Sequence, residues 1–356
     1  MATFIHYVFL FATTTAIVYI LYKMIQKRQG EKASYNPPYV NTPNDAQMAQ
    51  LNKIENSVSD NGSGIANARF DPSNNNSLRN FCIKSSFNSA YTGGYVNRDM
   101  VKFVLMRGCR FLDFEVFMKD NVPIVAYSTS TATDSSFNHF TSEAPAISLG
   151  GVFSTIMSNA FNDKSPNPAD PLFIHLRIKS YLPTAYSSVA ETIQGNLGPK
   201  LYADDNGNAI PVNLDTQLNL LQGKVVIIVD QLSSPGYEKY ATCGSQNQST
   251  CTALSKYINA NSGTQNFRIY REDELLYQSI NPPDPEVYLM RLVLPNIGFF
   301  NNVSNSESLY LIKNYGVQLV AQAFYENNRN LVTYEELFKN FHSAFVPLNQ
   351  AITFAS

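Results

Sequence analysis

The chain of 356 residues contains no tryptophan, four histidines, four cysteines and only 15% charged residues. Each scarcity argues against a class of function. Four cysteines without a C-x-x-C pair or a Cys/His cluster at zinc spacing are too few for a disulfide scaffold and unsuited to a structural metal site. With 26 basic and 28 acidic side chains, no basic field exists to hold a phosphodiester backbone, which argues against a nucleic-acid partner. The histidines are His6, His139, His175 and His342, a thin supply for chemistry built on imidazole. Phenylalanine and tyrosine are abundant instead, at 23 and 21 residues, and together with the aliphatic residues they suffice for one large core.

Three regions of different texture follow one another. Phe4 to Tyr22 carries no Asp, Glu, Lys or Arg and is close to the ~20 residues that cross a bilayer as a helix. The charges Lys23, Lys27, Arg28 and Lys32 follow it, which suits an uncleaved anchor with the following domain on the cytosolic side. His6 sits within this span near its lumenal end, as an uncharged interfacial imidazole. Residues 1–33 are thus expected to form a transmembrane anchor and basic flank, and 34–79, rich in Asn, Ser and Pro, a disordered tether. N-x-S/T sequons at Asn61, Asn75, Asn247 and Asn302 argue weakly for the lumenal side instead.

From 80 to 356 short apolar runs alternate with amphipathic stretches. FLDFEVF (111–117), VPIVAY (122–127), LFIHLRI (172–178), KVVIIVD (224–230) and VQLVAQAF (317–324) read as strands. RDMVKFVLMRG (98–108), LGGVFSTIMSNAF (149–161) and VTYEELFKNFHSAF (332–345) read as helices. This alternation predicts a parallel sheet covered by helices, and the size favours one closed α/β barrel over two small domains.

FCIKSSFNSAYTGG (81–94) followed by GCRFLDFEVF (108–117) resembles the X region of phosphoinositide-specific phospholipase C. The likeness continues through VPIVAY (122–127), ISLGGVFSTIMSNAF (147–161), PLFIHLRIKS (171–180) and LLQGKVVIIVD (220–230). YLMRLVLPNIGFF (288–300) and residues 314–348 are similar to the family's Y region. The resemblance implies a distorted (β/α)8 TIM barrel of the PLC-like phosphodiesterase type, with its site at the C-terminal strand ends. The single transmembrane helix would precede it.

The resemblance further implies a proton-transferring histidine, a second histidine for the phosphoryl oxygens and a calcium ion. Here the two histidine positions carry Phe87 and Tyr127. Benzyl exchanges no proton, and a phenol donates at most one hydrogen bond. The four calcium-ligand positions match Asn88, Asp113, Glu115 and Arg177. A guanidinium ~4.5 Å from a divalent ion opposes it by about 7 kcal/mol at an effective permittivity of ~20. Calcium is therefore expected to be lost, leaving no metal and no cofactor. Asp113 and Glu115 are two apart, as are His175 and Arg177, so all four should face the barrel interior, with Arg177 paired to a carboxylate. The family's phosphate lysines fall on Ile228 and Asp230, a phosphate-binding arginine on Arg291, and its ring-stacking tyrosine near Leu294 with one residue inserted.

Other candidates have plainer readings. His175 is a relic acid/base or a buried member of an ion-pair network, His139 lies in an insertion over the mouth (134–145), and His342 sits on a helix. Cys243 and Cys251 bracket a polar loop and are bridged in an oxidising space or free thiols in a reducing one, while Cys82 and Cys109 read as buried hydrophobes. The function expected is a membrane-anchored, catalytically inactive phospholipase C-like barrel, a binding or structural module in a virion or host membrane. Its partners would be the membrane, a phospholipid headgroup or a protein. The alternative is a metal-independent phosphodiesterase acting on phosphoinositides or glycerophosphodiesters.

Overall fold

The computed structural model describes residues 13–23, 45–57, 64–71, 76–127, 146–243, 251–277, 289–297 and 303–356. Twelve strands occur among them: β1 (Phe81–Ile83), β2 (Ser85–Ser86), β3 (Phe111–Lys119), β4 (Val122–Val125), β5 (Ile147–Ser148), β6 (Leu172–Ile178), β7 (Val225–Asp230), β8 (Ala260–Ser262), β9 (Phe267–Arg271), β10 (Met290–Leu294), β11 (Leu319–Gln322) and β12 (Phe345–Pro347). Eight run parallel in the order β8-β7-β6-β3-β2-β11-β10-β9. Because β8 and β9 lie side by side without a shared ladder, the result is a nearly closed TIM-like barrel, as the alternation predicts. β3, β6 and β7 are buried on both faces, which explains their nearly unbroken apolar composition.

The expected strands at 111–117, 172–178 and 224–230 fall on β3, β6 and β7, and the run at 317–324 contains β11. VPIVAY is not a barrel stave: β4 pairs antiparallel with β3. Asp120 and Asn121, both at positive φ, form the tight hairpin turn that such residues favour. The helix expected over 332–345 spans Arg329–Asn340 instead. His342, at φ 51, ends it, and Phe345 enters β12, which pairs with β1 beneath the barrel. Gly108, at φ 81, turns the chain from helix Arg98–Met106 towards β3; an added Cβ would stand 2.9 Å from Ile65.

The tether expected over 34–79 is structured in its described parts. Asp45–Ser57 is a helix with Leu51 and Ile54 buried. Residues 64–71 lie along the barrel: Ala66 N donates to His342 O, Ala68 N to Asp170 Oδ1 at 2.7 Å, and Ala169 N to Asn67 Oδ1. Scattered apolar residues (Leu51, Ile54, Ile65, Phe70) supply the buried contacts that the polar composition hides. Residues 13–23 are helical and exposed throughout, whereas the first part of the expected span lies outside the described residues. Among the described residues, no helix is long and apolar enough to cross a membrane. His6, His139 and the four sequon asparagines also lie outside them. Cys243 and Cys251 are disulfide-bonded with Cα atoms 5.8 Å apart, and Cys82 and Cys109 are free and buried.

Candidate functional site

The register of β3 against β6 sets Asp113 opposite His175 and Glu115 opposite Arg177. All four point into the barrel, where each is at most 1% exposed. Arg177 lies at the centre. Its Nε donates to Asp113 Oδ1 at 2.9 Å, Nη2 to Asp113 Oδ2 at 2.6 Å and to Asn88 Oδ1 at 2.7 Å, and Nη1 to Glu115 Oε1 at 2.7 Å. Asn88 reaches this position from the loop after β2, in a left-handed conformation (φ 42) that asparagine tolerates, and its backbone N–H also donates to Asp113 Oδ2.

These contacts decide the ionisation of the group. Burial alone would raise the Asp113 pKa, but the Arg177 charge and the His175 hydrogen bond prevail and hold its carboxyl well below the usual range. Burial likewise opposes the Arg177 charge, and Asp113 and Glu115 overcome it, so the guanidinium keeps its proton more firmly than usual. His175 is fully buried with both ring nitrogens engaged: Nδ1 meets Asp113 Oδ1 and Nε2 meets Ser262 Oγ, each at 2.8 Å.

Phe87 is 1% exposed. Two guanidinium groups lie over its ring, with Arg177 Cζ 5.1 Å and Arg271 Cζ 5.8 Å from its centroid, a cation–π arrangement. Tyr127 stacks on Tyr91 at 4.2 Å, and Tyr325 meets Tyr91 edge-on. Burial, reinforced by the Glu115 charge, pushes the Tyr127 phenol far above its ordinary pKa, so it holds its proton.

Arg291 is not brought to this site. It pairs in register with Arg268, which is exposed on the outside of the barrel. Arg271, three residues beyond Arg268, reaches Phe87 from the inner face. The two-residue alternation of β10 puts Arg291 on the outer face, while Leu292 and Leu294, in register with Ile269 and Arg271, take the inner one. Sequence reading missed Arg271 and Ser262; alternation along FRIYR was the available signal for the first, and the short polar strand ANS offered none for the second. Ile228 is buried beside His175, and Asp230 Oδ1 accepts from Leu232 N. Lys179 is buried near Glu115, Arg177 and Asp230. Around Arg177 the cations Lys179 and Arg271 are thus set against Asp113, Glu115 and Asp230.

His342 donates from Nδ1 to Gly64 O at 3.0 Å if that nitrogen carries the proton, and lies at the base of the barrel. A cavity of ≈ 630 Å³ lined by Phe70, Phe81, His342 and Phe345 is also at the base, remote from Arg177. Among the described residues, no group of three or more His, Cys, Asp or Glu side chains is arranged to hold a metal ion.

Residues 74–231 match the family described as Phosphatidylinositol-specific phospholipase C, X domain. The crystal structure of L. pealei PLC21 is similar with a TM-score of 0.55 and 17% identity, over 86% of this chain and 44% of that one. S. officinalis PLC21 is similar with a TM-score of 0.55 and 17% identity, over 91% and 47%. The chain spans less than half the length of either protein, and at this identity the likeness is one of fold. No curated protein matches the chain.

Proposed function

We propose that the chain is a PLC-like phosphodiesterase barrel without catalytic activity, held at a membrane as a binding or structural module. The observation that carries this reading is the Arg177 guanidinium, bonded at once to Asn88, Asp113 and Glu115. Those are the three oxygen donors remaining where the resemblance places calcium. The donor set does not fit a divalent ion, because its oxygens already hold a fixed cation whose own charge opposes another. At the position the resemblance gives to proton transfer, Phe87 has nothing to transfer, and at the position for the phosphoryl oxygens Tyr127 is a neutral phenol that retains its proton.

Attachment to a membrane is supported by the exposed apolar side chains of residues 13–23, among them Ile17, Val18 and Leu21, and by the basic residues that follow. Tyr181, Leu182, Leu232 and Leu276, exposed beyond the C-terminal ends of β6, β7 and β9, offer a partner surface at the mouth. An anionic phospholipid headgroup or a protein would meet the barrel there. The basic flank directs the barrel to the cytosolic face, whereas the Cys243–Cys251 bridge argues for an oxidising space. Alkylation of the unreduced protein distinguishes them: two reactive thiols sustain the cytosolic assignment, and none overturns it.

Calcium titration of the protein is expected to give no binding heat at millimolar concentration, and phosphoinositide or glycerophosphodiester turnover is expected to be absent. The contrasting reading, a metal-independent phosphodiesterase, draws on the Asp113–His175–Ser262 chain of hydrogen bonds. Turnover that disappears in His175→Ala would replace the inactive-module reading with that one.

A further inference from the structure

The outer face of β9 and β10 carries a charge problem that the proposed module does not explain. Arg291 and Arg268 are directly in register on these parallel neighbours, and like charges in that position destabilise a sheet. Arg268 is exposed. Arg291 is only 8% exposed, and its Nε and Nη1 are buried and meet no hydrogen-bond acceptor among the described residues. Its backbone N–H is satisfied by Gln318 Oε1 at 2.9 Å, while the Gln318 amide donates to Arg79 O and Leu289 O. The strand is therefore fixed in place with the guanidinium unanswered.

Other buried cations have oxygen partners: Arg177 has two carboxylates, Arg110 has Ala160 O and Asn167, and Lys84 has Glu335. No carboxylate among the described residues pairs with Arg291 or Arg268. The titratable neighbours that bear on Arg291 are Tyr270 and Arg268, and burial with Arg268 beside it pushes the guanidinium below its ordinary pKa. A buried cation with unused donors is costly in a native fold and calls for an anion.

We propose that Arg291 and Arg268 form an oxyanion-binding site on the outside of β9 and β10, taking a phosphate-type group whose several oxygens bridge the two guanidiniums. Multiple oxygens suit paired arginines because each guanidinium presents donors in a planar fork. The site is on the opposite face of the sheet from Arg271 and Phe87, so it is separate from the barrel interior. The phosphate-type group belongs to a soluble phosphomonoester or to an anionic lipid headgroup.

The test uses the full chain in neutral detergent, with inorganic phosphate titrated against chloride at constant ionic strength. The thermal midpoint is expected to rise saturably with phosphate, and Arg268→Gln, at an exposed position, to weaken the response about tenfold or more. Arg268→Glu should raise the phosphate-free midpoint and remove the response, since its carboxylate then pairs with Arg291. Vesicles of phosphatidylcholine with and without phosphatidylserine separate the sources. Equal vesicle binding by parent and Arg268→Gln, with the phosphate shift intact in the parent, assigns a soluble oxyanion; loss of phosphatidylserine-dependent binding in the variant assigns the headgroup. Absence of both responses in the parent, or their persistence in Arg268→Gln, overturns the site.

Discussion

Replacement of Arg177 by methionine is expected to cost about 3–5 kcal/mol of unfolding free energy, because the buried Asp113 and Glu115 lose the cation between them. Urea denaturation followed by circular dichroism measures it, and a cost below about 1 kcal/mol would contradict a structural role for the ion pair. The pH dependence has a definite sign. The folded-state pKa of Asp113 is depressed, so its contribution is present above the unfolded carboxyl value of about 4 and is lost as pH falls through the folded value. The parent should therefore weaken in acid, and Arg177→Met should weaken less, since its stranded carboxyls gain by taking up protons. Arg177→Glu supplies a fourth oxygen donor. Millimolar calcium should raise the unfolding midpoint of that variant and leave the parent unchanged.

The second large effect is expected at Glu335. Its carboxylate accepts from Lys84 Nζ at 3.0 Å and from Arg107 at 2.9 and 2.6 Å, joining helix Arg329–Asn340 to the end of helix Arg98–Met106 and the β1–β2 link. The Lys84 side chain is 1% exposed. Burial would raise the Glu335 pKa, but Lys84 and Arg107 outweigh it and hold the carboxyl below its ordinary range. Glu335→Gln should then cost about 3 kcal/mol, because the carboxylate charge facing Lys84 Nζ and Arg107 is lost in a dry site and only a neutral amide oxygen replaces it beside the Arg107 carbonyl. The double variant Lys84→Met/Glu335→Leu should recover much of that loss, as apolar replacement of both partners removes the stranded charge. If the double variant is no more stable than Glu335→Gln, the loss comes from packing rather than charge.

The barrel was legible because β3, β6 and β7 are buried on both faces and so read as continuous apolar runs. The same alternation placed Asp113, Glu115, His175 and Arg177 on one face, and their mutual bonds follow from the β3–β6 register. Arg291 lies away from Arg177 for a physical reason: along a strand successive side chains face opposite ways, and the register of β10 with β9 puts Arg291 beside Arg268 on the outside. Ser262 lay in a polar strand of three residues with no periodic signal, and Arg271 was obscured because its interior role depends on Phe87, a loop residue far away in sequence. The described parts of 34–79 are ordered where a tether was expected, because composition averages over a stretch. A few well-placed apolar residues, Leu51, Ile54, Ile65 and Phe70, are enough to bind it to the barrel.

That binding has a mechanical side. Residues 64–71 lie between the N-terminal helix and the first strand, and they are fastened to the barrel base by the hydrogen bonds of Ala66, Asn67 and Ala68. A pull on the N-terminus meets this clasp before it can load β1 or any stave. The fasteners are few, so they should peel in sequence before the barrel yields, lengthening the leash while the eight-stranded body stays intact. A protein tied to a moving or bending bilayer would thereby have a shock absorber between its attachment point and its core.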